Sequence, residues 1–408
     1  MNFVFISPNF PEHYSNFCRQ LAENGVTVLG IGDAPYESLN DDLKASLTEY
    51  YKVDTMLDYD AMYRAVAWFA HKHGKIDWIE SNNEFWLEQD ARLRTDFNVV
   101  TGPKSHEITR WRSKSAMKKY YAEAGIPTAR YAIRDTLENA LAFTKLVGYP
   151  IIVKPDKGVG AAATYKIKND RQLKQFFAQE TDVPYIMEEF ITGEVTTYDG
   201  VIDQNGKVLF AASHVTPIAI MDMVNEQLPC CYYVNSEVPP EVKDAGERTL
   251  KAFDVRGRCF HLEFFRLLKD QEGLGRYGDI VALEVNMRPA GGLTPDMLNY
   301  SQSSDMYKIY ADMAAFGEPK RVFENNKHYF TMYVGRRDQA EYTYSLNDLF
   351  SEYEDNIRVY QRIPDSISDA MGNDGIIACF DTLQEMNKFM KKALAPMRIH
   401  SIRTYKQA

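Results

Sequence analysis

The chain has few cysteines, no long apolar run, no excess of positive charge and no Walker A loop. Each absence removes a class of protein. Cys18, Cys230, Cys231, Cys259 and Cys379 are the only cysteines in 408 residues. They are too few and too scattered for a disulfide framework or a zinc site, so a reduced, cytoplasmic protein is expected. No stretch approaches the length of a membrane span. The N-terminal residues Met1 to Pro8 lack the basic region and apolar segment of a signal peptide. A net charge of -10 speaks against nucleic acid or an anionic membrane as partner. Gly-x-x-x-x-Gly-Lys-Ser/Thr occurs nowhere, which removes the P-loop enzymes. Internal repeats and low-complexity tracts are absent as well. What remains is 45% hydrophobic and 25% charged, the balance of an ordinary globular protein. The length suggests two to four packed units.

Residues 1–103 read as a small parallel α/β domain. A strand over Asn2 to Ile6, a helical pattern through Phe17 and Leu21, and a strand over Val26 to Ile31 make one βαβ unit. A helix over about 59–73, a strand over Ile76 to Glu80 and a helix over about 84–94 continue the pattern. Ser81 to Glu84 follow a strand, where open α/β sheets place ligands, although a turn and helix cap account for them as well. Gly102-Pro103 marks a boundary. A basic helix follows, carrying Arg110, Arg112, Lys114, Lys118 and Lys119, and stops before Pro127. A second unit spans 104–316, with a subdomain over about 128–190. A small α+β unit, 317–408, closes the chain and shows no catalytic cluster.

The chemistry concentrates in four segments. Val281 to Asn286 alternates apolar and polar residues at the period of a strand. Glu284 and Asn286 therefore share a face with Arg288 just beyond, either two oxygen ligands suited to Mg²⁺ or the exposed side of an ordinary strand. Cys259 to Phe265 reads as a neighbouring strand bearing Glu263. Ile151 to Val153 form a strand ending in Lys154, followed by a loop of small residues from Asp156 to Ala163. There Gly158, Gly160 and Ala161 leave room for backbone N–H groups to approach phosphate oxygens. A hairpin turn with a surface lysine would look similar. A strand from Pro184 runs into Glu188, Glu189, Ile191 and Glu194, whose acids could reach a sugar or a base edge. The irregular stretch Ser213 to Val234 is a candidate substrate loop.

The order of these segments resembles the ATP-grasp superfamily of carboxylate–amine ligases. Lys114 in Arg-Ser-Lys-Ser, Ile-Val-Lys154-Pro, Met-Glu188-Glu-Phe-Ile-Thr-Gly-Glu194, His-Leu-Glu263-Phe and Leu-Glu284-Val-Asn286-Met-Arg288-Pro carry the resemblance over about 1–315. It implies a Rossmann-like front domain, an ATP-grasp fold and the small C-terminal α+β domain. It also implies an ADP-forming enzyme using ATP with Mg²⁺ or Mn²⁺. Lys114 and Lys154 would contact the nucleotide phosphates, with the loop holding Gly158, Gly160 and Ala161 closing over them. The segment Glu188 to Ile191, with Glu189 within it, would present its backbone to adenine, and Glu194 would hold the ribose. Glu263, Glu284 and Asn286 would carry the metal ions, and Arg288 would steady the transferred phosphoryl group. Arg288 and Lys154 are thus the expected catalytic pair. His261 is either a basic residue facing the phosphates or a structural histidine. Within the superfamily the motifs look most like the ligases that make dipeptides. This implies small-molecule carboxylate and amine substrates, commonly on a homodimer. A bicarbonate-activating or purine-pathway ligase and a non-catalytic nucleotide-binding regulator are the alternatives.

Overall fold

The computed structural model describes residues 1–158, 163–217, 230–320 and 327–396. Gly160, Ala161 and the middle of the 213–234 stretch lie outside the described residues. Among the described residues there are seventeen strands, in three sheets.

The front sheet holds β1 (Asn2–Ile6), β2 (Thr27–Gly32), β3 (Glu49–Lys52) and β4 (Trp78–Glu80), ordered β3-β2-β1-β4 and parallel throughout. Its strands are short apolar runs because helices cover both faces. Phe3 and Phe5 face one helix layer, Val4 and Ile6 the other. The second sheet is antiparallel: β5 (Tyr131–Ile133), β6 (Ile151–Pro155), β7 (Tyr165–Ile167) and β8 (Tyr185–Glu189), ordered β5-β8-β6-β7.

The third sheet has nine strands. They are β9 (Gly193–Ile202), β10 (Val208–Ala212), β11 (His214–Thr216), β12 (Cys230–Val234), β13 (Arg258–Leu267), β14 (Ile280–Asn286), β15 (Phe330–Arg336), β16 (Ile357–Arg362) and β17 (Asp374–Phe380). The order is β14-β13-β9-β11-β12-β15-β17-β16, with β10 also paired to β9. The expected boundary at 317 falls inside this sheet, since β12 pairs with β15 along its whole length. The five cysteines are all buried and unbridged. Cys230 and Cys231 sit on opposite faces of β12 and enter different cores, as a strand's period of two requires. Among the described residues no helix is long and apolar enough to cross a membrane.

The expected basic helix is two helices, Thr109–Arg112 and Lys114–Glu123. Ser113 breaks it with an extended backbone and caps the second helix by accepting from the Ala116 N–H. This is the usual service of a serine at an N-cap. Asp156, two residues past Lys154, fastens that cap. It accepts from the Ser113 hydroxyl at 2.6 Å and the Ser115 N–H at 2.8 Å. Lys114 and Lys154 are brought together by this fastening.

Candidate active site

The site begins as a matter of strand register. β13 pairs antiparallel with β14, placing Glu263 opposite Glu284 and His261 opposite Asn286. β13 also pairs with β9, placing Thr197 opposite Glu263 and Asp199 opposite His261. Directly opposed residues share a face. Two rows therefore cross three strands: Thr197, Glu263, Glu284, and Asp199, His261, Asn286. Leu283 is an extra residue in β14, a bulge against Glu263 and Phe264. The alternation expected for β14 is interrupted there, yet Glu284 and Asn286 keep one face.

Above the two rows lie the lysines. Lys114 Nζ is 3.0 Å from Glu284 Oε1. Lys154 Nζ is 2.7 Å from Glu188 Oε2, and Lys118 Nζ pairs with the other oxygen of Glu188. Burial alone would push Glu188 up, but Lys154 and Lys118 outweigh it and hold the carboxyl at about 2. Burial would likewise depress Lys154, and Glu188 beside it raises it instead. Because the folded pKa of Glu188 lies below its usual 4.5, its contribution to stability is present above about pH 4.5. That contribution is lost as pH falls toward 2. Urea midpoints measured across that window should fall more steeply for the native chain than for Glu188→Gln.

The lower row is a hydrogen-bonded line. His261 Nδ1 lies 2.6 Å from Asp199 Oδ1, and His261 Nε2 lies 3.0 Å from Glu263 Oε1. Asn286 Nδ2 donates to the same Glu263 oxygen at 3.2 Å. Burial opposes charge on His261, but the two carboxylates win and raise it to about 9. Glu263 is held below its usual range, His261 and Arg288 outweighing its burial. His261 is thus buried and salt-bridged to two carboxylates.

One cavity of about 1110 Å³ joins these groups. Its lining includes the apolar side chains Ala129, Ile152, Ile191, Phe265 and Leu283. It also includes Lys114, Lys154, Glu188, Glu263, Glu284, Asn286 and Arg288. Phe10 to His13 after β1, Gly291 to Thr294, and Pro364, Ile367 and Met371 of the last unit line it too. Here burial lowers His13 to about 4.

Among the described residues, three expected site residues do not line it. Glu189 turns away and takes Arg130, whose Nη2 is 2.6 Å from Oε2. Glu194 stands opposite Arg266, on the face of β9 away from Val195 and Thr197. Burial pushes its carboxyl up to about 7, with Arg266 opposing. Gly158 stands beside the cavity, its carbonyl accepting from Lys114 Nζ at 3.3 Å. Ser81 to Glu84 also stay outside, with Ser81 on Asp90 and Glu84 on Arg112. The sequence did not single out Asp156, Asp199 and His214 and gave Lys118 no role. Lys118 had one signal, its place one helical turn beyond Lys114.

Residues 113–216 match the family model described as carbamoyl-phosphate synthase L chain, ATP binding domain. The L-arginine-specific L-amino acid ligase of Bacillus subtilis is 24% identical over 294 residues, covering 69% of this chain and 68% of that protein. Residues 113–216 thus carry an ATP-grasp ATP-binding domain. The mitochondrial carbamoyl-phosphate synthase [ammonia] of Aquarana catesbeiana is 25% identical over 195 residues, 46% of this chain but only 12% of that one. Among solved structures, the chain superposes on the L-amino acid ligase from Bacillus licheniformis with a TM-score of 0.70 at 14% identity, covering 96% of each. The biotin carboxylase domain of the Hydrogenobacter thermophilus 2-oxoglutarate carboxylase, solved with MgADP, ADP and bicarbonate, gives 0.69 at 16% identity, covering 96% of this chain and 88% of that one. At those identities the structures speak for the fold.

Proposed function

We propose that this chain is an ATP-dependent carboxylate–amine ligase that forms an amide through an acyl phosphate and takes an amino acid as substrate. The observation that carries this reading is the cavity, whose lining brings the apolar Ile152, Ile191 and Phe265 together with Lys114, Lys154, Glu188, Glu263 and Glu284. Its volume suits a nucleotide together with a small substrate. Ile152, Ile191 and Phe265 suit a flat base. Lys114 and Lys154 reach the phosphates while keeping their acids, because an ammonium has three protons to give. Glu263, Glu284 and Asn286 are an all-oxygen donor set on one face and would hold Mg²⁺ or Mn²⁺. The bound cation would neutralise the charge of the phosphate chain.

The protein's own part is positioning and electrostatics, as in other phosphoryl transfers. A carboxylate oxygen bonds to the γ-phosphorus and the bond to ADP breaks. Lys114 and Lys154 stabilise the charge that moves onto ADP. Arg288, whose Nη1 is anchored on the Pro289 carbonyl at 2.8 Å, faces the cavity where the acyl phosphate would form. The amine then bonds to the acyl carbon, phosphate leaves, and the ammonium proton passes to solvent. The complete acid set speaks against a non-catalytic regulator. A cytoplasmic homodimer is part of the reading, and the mass in solution tests the dimer.

The deciding assay is phosphate release from Mg-ATP with single amino acids and amino-acid pairs, with bicarbonate and ammonia as controls. Release that requires an amino acid and an amine supports the proposal. Release with bicarbonate alone moves the chain to the bicarbonate-activating branch. Lys154→Met should raise the KM for ATP about tenfold or more, the worth of a charge-assisted phosphate contact. The same assay reads it.

A further inference from the structure

Asp199 belongs to no motif in the chain, yet it sits at the centre of the most heavily bonded polar group beneath the site. Its side chain is 1% exposed. Oδ1 lies 2.6 Å from His261 Nδ1, and Oδ2 lies 2.8 Å from His214 Nδ1. The Thr197 hydroxyl donates to Oδ2 as well. The rings of His214 and His261 stack with centroids 5.5 Å apart and planes 15° from parallel. One side of Asp199 is therefore locked by β11 and its own strand, and the other is aimed at His261.

His261 passes that restraint on. With Nδ1 fixed on Asp199, the ring can only be rotated as Asp199 allows, and Nε2 is delivered to Glu263 Oε1. Asn286 Nδ2 delivers a second proton to the same oxygen. Oε1 is thereby committed within the sheet, and Oε2 is the oxygen left to the cavity. A carboxylate so bound presents one oxygen in one orientation, which a hard cation rewards and a freely rotating glutamate would not supply.

We propose that Asp199, acting through His261, is a positioning residue that holds Glu263 as a metal ligand, with His214 locking Asp199 from behind. The proposal rests on the reading that Glu263, Glu284 and Asn286 hold the divalent cation. Asp199, His214 and His261 have themselves the composition of a metal site, their donor atoms lying within 4.8 Å of one another. The separations of 2.6 and 2.8 Å from separate oxygens of Asp199 are those of hydrogen bonds. A cation set between such pairs, about 2.0–2.2 Å from each atom, would hold them further apart.

The test is Mn²⁺ binding by the full-length protein with a non-hydrolysable ATP analogue, followed by the electron paramagnetic resonance signal of free Mn²⁺. Asp199→Asn and His261→Gln should each weaken Mn²⁺ binding about 10–100-fold, the usual cost of losing a partner behind a metal ligand. The double variant should lose little more than either single, because both act along one line. Thermal midpoints measured alongside separate this from a loss of packing, which would lower them in step with Mn²⁺ binding. If Asp199→Asn fails to fold, His261→Gln carries the measurement. Glu263→Gln separates the two levels of the argument. If it leaves Mn²⁺ binding intact, the metal reading itself falls. If it weakens binding while Asp199→Asn and His261→Gln bind as the native chain does, only the positioning role is overturned. Mn²⁺ that stays bound in Glu263→Gln and is lost in Asp199→Asn would make the histidine pair the metal site and also overturn it.

Discussion

Glu284→Gln should lower ATP-dependent phosphate release at least about a hundredfold while leaving the chain folded. Glu284 is one of two carboxylates set face to face across β13 and β14. Removing its charge takes away half of the anionic oxygen donors available to a divalent cation. Charge stabilisation of that kind is worth several kcal/mol at the transition state, and about 1.4 kcal/mol is a factor of ten. Glutamine keeps the shape and can still accept from Lys114, whose Nζ stands 3.0 Å from Oε1. A drop in rate would then reflect the site rather than unfolding, which a thermal midpoint measured alongside the steady-state rate confirms. Alanine is the poorer choice, because it would strand a buried lysine without its partner. Unchanged nucleotide turnover in Glu284→Gln would sink the metal assignment.

Glu80→Ala should produce the largest loss of stability, about 3–5 kcal/mol. Glu80 ends β4 and is 1% exposed. Its Oε2 lies 3.1 Å from Arg94 Nη2 and 3.4 Å from Arg258 Nη2. Both guanidiniums are buried, and alanine would leave two desolvated positive charges behind. Arg94 would keep Asp90 at 4.0 Å and the carbonyls of Ile79 and Pro103. Arg258 would keep the Met287 carbonyl at 2.8 Å and the face of Trp111. Those contacts do not replace a carboxylate. Met287 lies between Asn286 and Arg288, so the same change should loosen the site from the front domain's side. Urea unfolding reads the first effect, and the rate at a temperature where the variant is still folded reads the second. A midpoint within experimental error of the native one would contradict this account of how the front sheet is joined to the nine-stranded sheet.

What the sequence disclosed was what lies close together along the chain. The alternation Val281 to Asn286 put Glu284 and Asn286 on one face, and the structure keeps them there in spite of the bulge at Leu283. The strand before Lys154, the front βαβ unit and the strand carrying Glu263 are legible for the same reason: each is set by a period or a turn within a dozen residues. Register is not. Nothing in Thr197 to Asp199 announces that β9 will lie against β13 and align Asp199 with His261, sixty-two residues on. Asp156 escaped notice because its task is to cap a helix forty-one residues earlier. The single basic helix failed at Ser113, where a hydroxyl that can cap competes with a helix that could continue. Glu189 and Glu194 were implicated by motif alone. Pairing sends the Glu189 side chain to Arg130, which leaves its backbone where the motif put it, and sends Glu194 to the face opposite the cavity. The last unit looked separate because its strands follow a helix and a Gly-Glu-Pro break, although β15 continues the large sheet through β12.

The most direct measurement follows the oxygen. With a substrate pair from the phosphate-release panel, the carboxylate substrate is labelled with ¹⁸O and the released phosphate is weighed by mass spectrometry. An acyl phosphate formed in this cavity transfers one carboxylate oxygen to each phosphate, so the label should appear there once per turnover. Phosphate free of ¹⁸O, with amide product still accumulating, would contradict carboxylate activation by phosphoryl transfer.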